Sequence, residues 1–86
     1  MEEYGLITFK STQFALQGEA LFKEEEIIFK TIPTPREVSH SCGLALLFAI
    51  DDLENVKELI EDKKIEVENL YKYFKEKHRG RAEKII

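Results

Sequence analysis

The chain of 86 residues predicts an α+β fold, and three observations carry that expectation. Clusters of apolar and β-branched residues from Leu6 to Phe9 and from Ile27 to Phe29 read as strands. The nearly unbroken apolar run from Gly43 to Ile50 reads as a strand paired on both sides. Two further segments carry apolar residues at the spacing of amphipathic helices.

The first strand runs from Tyr4 to Phe9 and ends at Lys10 and Ser11. Ser11 or Thr12 then offers an N-cap for a helix to about Glu24, with Phe14, Ala15, Gly18, Leu21 and Phe22 on one face. Ile27, Ile28, Phe29 and Ile32 form the second strand, and Pro33, which has no N–H to give a ladder, places that strand at the border of the sheet. Gly43 to Ile50 is the third, central strand. Asp51 and Asp52 offer N-caps for a second helix to about Lys63, with Leu53, Val56, Leu59 and Ile60 on one face. Val67 to Phe74 fits helical spacing as well as strand composition; its aromatic and β-branched content directly after a helix favours a strand.

Strand, helix, strand, strand, helix, strand is the split βαβ, or ferredoxin-like, order. It implies a four-stranded antiparallel sheet with the first and third strands central and both helices on one face, because crossovers are right-handed. The expected organisation is a single domain over residues 1–86, with a folded core of about 4–74 and a charged C-terminal extension over 75–86.

Charge narrows the function classes. A formal net charge of −4 argues against nucleic acid as a partner, since that affinity comes from clustered cations on phosphates. The basic cluster Lys75, Lys77, His78, Arg79 and Arg81 is interrupted by Glu76 and followed by Glu83, and reads as a solvated tail. No apolar run approaches the roughly 20 residues that span a bilayer, so no membrane association is expected. With one cysteine, no intramolecular disulfide forms, and no signal-peptide pattern is visible at the N-terminus; both predict a reducing, cytoplasmic setting. No cofactor and no metal are expected, because the lone cysteine, two distant histidines and scattered carboxylates have no ligand spacing.

The chemistry-bearing residues crowd into Pro33 to Gly43. Cys42 is the candidate nucleophile, and a thiol serves as nucleophile or carrier only when partly ionised, near positive charge or a helix N-terminus. Arg36 and His40 supply charge from the same segment, Ser41 a hydrogen bond, and Gly43 relief of crowding beside the sulfur. Split βαβ topology would also bring Lys10 and the first helix's N-terminus to the same sheet end. Thr34, Pro35, Arg36 and Glu37 match a capping box, so a short helical turn is expected before Cys42. Plainer readings stand beside these. Composition by itself favours a buried structural thiol, Arg36 can pair with Glu37, and a loop histidine such as His40 is commonly just solvated.

Ile32 to Leu46, with the preceding Gly5 to Thr12, resembles the small bacterial Se/S carrier protein-like family, a family of unknown function, over roughly Tyr4 to Phe74. The matching motif is Pro35, Arg36 and Glu37 followed by Ser41, Cys42 and Gly43. The resemblance implies a carrier, rather than a turnover enzyme, that holds sulfur or selenium on Cys42 as a persulfide or perselenide and passes it between a protein donor and a protein acceptor. Unlike sulfur-relay carriers with a Cys-Pro-x-Pro motif at a helix start, the prolines here precede the cysteine. From a different class, a noncatalytic regulatory or interaction module would bind a small anion or a protein partner at the 33–43 loop. An unpaired border strand also leaves homodimerisation open.

Overall fold

A computed structural model describes residues 2–35, 38, 43–76 and 80–86. Strand β1 (Glu2–Thr8) leads to helix α1 (Thr12–Glu24), strands β2 (Phe29–Pro33) and β3 (Leu44–Ala49), a 3-10 turn at Ile50–Asp52, helix α2 (Leu53–Glu61), and strands β4 (Asn69–Lys75) and β5 (Gly80–Lys84). All pairings are antiparallel, in the order β2-β3-β1-β4-β5. β1 is therefore central and β2, ending at Pro33, is an edge.

The sheet has five strands where the sequence predicts four. The extra strand comes from the segment read as a charged extension. Its backbone completes the free edge of β4, so its side chains need little hydrophobicity of their own. Ala82 pairs with Tyr73, and the Arg81 guanidinium carbon stands 4.6 Å from the centroid of the Phe74 ring. Gly80 leaves room for the Tyr73 hydroxyl, which a Cβ at that position would strike.

Both helices pack on one face. Ala15 and Phe22 of α1 and Val56 and Leu59 of α2 share a buried cluster with Ile7, Leu46, Phe48 and Leu70 of the sheet. Phe22 meets Phe29 and Phe48 edge-on, each with ring centroids 5.7 Å apart. Phe48 lies across Gly5, its register partner, where a Cβ would collide with the ring. Alternation along the strands sends Leu6, Ala45, Tyr71 and Tyr73 to the opposite, helix-free face, where they form a second buried cluster.

Helix boundaries follow local hydrogen bonding. Ser11 caps α1, its Oγ accepting from the Phe14 N–H at 3.4 Å. Asp52 makes no such side-chain bond at α2, which begins after the 3-10 turn. Each helix ends in a paired closure: Ile27 N–H to Phe22 O with Glu26 N–H to Lys23 O, and Lys64 N–H to Leu59 O with Lys63 N–H to Ile60 O. This geometry puts Glu26 and Lys63 at φ 59°, left-handed without the usual glycine. α2 thus stops at Glu61, short of the expected Lys63.

Candidate functional site

At one end of the sheet β1 stops, α1 begins and β2 passes into β3. The Thr34 N–H donates to Gly43 O at 3.1 Å, extending the β2–β3 ladder by one rung and closing the base of the 33–43 loop. Register pairs Thr8 with Ala45, so Gly43, two residues earlier on the same strand path, stands at the end where Lys10 and Ser11 leave β1. The Val38 N–H donates to Pro35 O at 3.0 Å, making a turn. Val38 packs against the cluster on the helix-free face. That contact brings one point of the loop over the sheet.

Beneath it lies a polar group. The Tyr71 hydroxyl is 3.5 Å from Val38 O and 3.3 Å from Asn69 Oδ1. The Thr8 hydroxyl, on a fully buried residue, donates to Glu68 Oε1 at 3.2 Å, and the Glu68 N–H donates to Thr8 O at 2.7 Å. Burial pushes the Tyr71 hydroxyl above its ordinary value, the nearby Glu68 carboxylate pushes it the same way, and a hydrogen bond with Thr8 offsets part of the rise. Thr34 Oγ1 is buried with no hydrogen-bond partner among the described residues.

Of the residues singled out from the sequence, Arg36, His40, Ser41 and Cys42 lie outside the described residues, as does Glu37 of the expected capping box. Gly43 is exposed, has no left-handed φ, and a Cβ on it would meet nothing within 4 Å among the described residues. Neither backbone conformation nor crowding by described neighbours requires glycine there. Lys10 is exposed and borders a shallow groove with Ile60, Lys63, Glu66 and Glu68. Among the described residues no group of three or more His, Cys, Asp or Glu side chains could hold a metal ion. Among the described residues no helix is long and apolar enough to cross a membrane.

Thr8, Glu68, Asn69 and Tyr71 were not singled out from the sequence as site residues. There Tyr71 falls only within the aromatic segment read as the last strand, and Thr8 within the β-branched first strand. Only the β1–β4 register, which pairs Thr8 with Asn69, brings them together.

Searches of curated proteins and of solved structures found no match. The model of the family described as "Putative Se/S carrier protein-like" matches residues 4–72. That span runs from within β1 to within β4 and takes in the whole 33–43 segment. The chain belongs to the Se/S carrier protein-like family.

Proposed function

We propose that this chain carries sulfur or selenium on Cys42, on a ferredoxin-like frame to which β5 has been added outside β4. The observation that carries the reading is the family match over 4–72, because it includes the one cysteine of the chain. The fold supports it in two ways. Strand order β2-β3-β1-β4 has the connectivity of a split βαβ unit, and the Thr34–Gly43 bond makes the cysteine-bearing segment a loop closed at its base.

In the transfer step the Cys42 thiolate attacks the terminal sulfur of a donor persulfide. The donor S–S bond breaks, the donor leaves as a thiolate, and Cys42 ends as the persulfide, with no net oxidation. Delivery is the same exchange with the acceptor's nucleophile in the attacking role. Arg36 and Lys10 would hold the anionic cargo, Ser41 would donate a hydrogen bond to it, and His40 would take the thiol proton. With no atom of the described residues within 4 Å of a Cβ placed there, Gly43 suits close approach of a partner's backbone. The partners are a donor and an acceptor protein, and a reducing cytoplasm keeps the thiol available.

Intact-mass spectrometry after incubation with inorganic polysulfide, or with selenite and glutathione, tests this. Addition of one sulfur or selenium atom to the parent chain and none to Cys42→Ser is expected, with alkylation of Cys42 half-maximal below the unperturbed thiol value of about 8.5. An inaccessible thiol that accepts nothing would leave the noncatalytic module as the better account.

A further inference from the structure

The helix-free face of the sheet is not uniformly covered. Leu6 and Ala45 are fully buried, but Tyr4, Ile32, Val38 and Leu47 pack around them only half-buried. They form an apolar track from the loop to the far end of the sheet. There the track opens into a groove lined by Tyr4, Ile28, Leu47, Ala49 and Asp52 and flanked by Lys30 on β2 and Lys75 on β4. Ile28, at its rim, is 85 % exposed, the most exposed large apolar side chain among the described residues.

We propose that this face is a docking surface for a protein partner presenting an apolar side chain between carboxylates. Charge decides the class. Register pairs Lys30 with Leu47, and alternation places Lys75 with Tyr73, so both ammonium groups belong to the groove's own face. One acid, Asp52, lines the groove against these two lysines, while Glu19, Glu24, Glu54, Glu58 and Glu61 gather on the two helices. An acidic partner is therefore repelled by the helical side and steered to this one. Two lysines beside an apolar floor give too few phosphate contacts for nucleic acid on a chain of net charge −4. A second copy meeting this patch through a two-fold axis would set two patches with the same excess of lysine over carboxylate against each other.

The inference rests on the carrier reading only for the partner's role, since the track leads from the groove to Val38 of the cysteine loop. Its test is separate. The isotopically labelled full chain is titrated, by NMR, with a capped hexapeptide of two aspartates, leucine, phenylalanine and two glutamates, and with the same peptide carrying lysines in place of its acids. Amide shifts from the acidic peptide confined to Tyr4, Ile28 to Lys30, Leu47 to Ala49 and Lys75 are expected. Affinity should fall about five-fold in Lys30→Glu with Lys75→Glu, both exposed positions that leave folding intact. Equal binding of the lysine peptide, shifts spread over the helices, no shifts at all, or a dimer in sedimentation buried at this face would overturn it. Cys42→Ser should bind the acidic peptide like the parent, while the charge-reversed variant should still take up sulfur from polysulfide. Loss of uptake by the parent chain alone would count against the carrier reading and not against the groove.

Discussion

Tyr71 joins two layers of the molecule with one atom. Its ring fills the helix-free cluster, and its hydroxyl lies between Asn69 and the loop carbonyl of Val38. Because burial and Glu68 raise its titration point, the native state holds this proton more tightly than the unfolded chain does. Its contribution is complete below the unfolded tyrosine value of about 10 and is lost as pH rises through the higher folded value. Stability should therefore fall across that range, less steeply in Tyr71→Phe, and ultraviolet titration of tyrosinate should lose one raised component in that variant. At neutral pH the same substitution should cost about 0.5–1.5 kcal/mol in urea unfolding, the worth of a partly satisfied hydrogen bond. No signal in the sequence marks this hydroxyl. The aromatic character of Tyr71 is legible, but its partners Thr8 and Val38 are distant along the chain and become neighbours only through register and loop placement.

Helix ends show where local chemistry was readable and where it was not. Ser11 is a capping residue by type and caps α1 in the structure. The C-termini carry no glycine to announce them, so the expected end of α2 runs past Glu61. Glu26 and Lys63 accept a left-handed backbone because the double closures and the burial of Ile27 beside Phe22 outweigh its cost. Glu26→Gly and Lys63→Gly should each raise stability by about 0.5–1 kcal/mol, read from urea midpoints at unchanged slope, since the left-handed penalty slightly exceeds glycine's entropy cost. A loss in either variant would mean that the side chain contributes contacts the backbone geometry does not reveal. The strand over Asn69–Lys75 was legible from its aromatics despite helical spacing. β5 was not, because an edge strand with alternating charge looks like a solvated tail.

At the scale of the whole molecule, β5 turns β4 from an edge into an interior strand. Removing residues 77–86 should cost about 1–2 kcal/mol, from the lost pairs Tyr71–Lys84, Tyr73–Ala82 and Phe74–Arg81, and should promote association through the bared β4 edge. Thermal unfolding and light scattering would register the two effects; an unchanged melting temperature would mean that β5 is merely an ornament. Order and direction of the first four strands were legible from element order and crossover handedness alone. Where Val38 lies over the sheet was not, because a single half-buried valine in a polar turn leaves no periodic trace.

The Thr34–Gly43 bond has one more consequence for a carrier. Gly43 is held at the root of β3, and the next residue back along the chain is Cys42, one peptide step of about 3.8 Å away. On the carrier reading, cargo held one residue from that anchor would be handed over at this end of the sheet rather than ferried on a long arm. On that reading donor and acceptor would each come to the same doorstep, and they would take turns. Exchange would then be governed by competition for one berth, with an excess of either protein slowing the other.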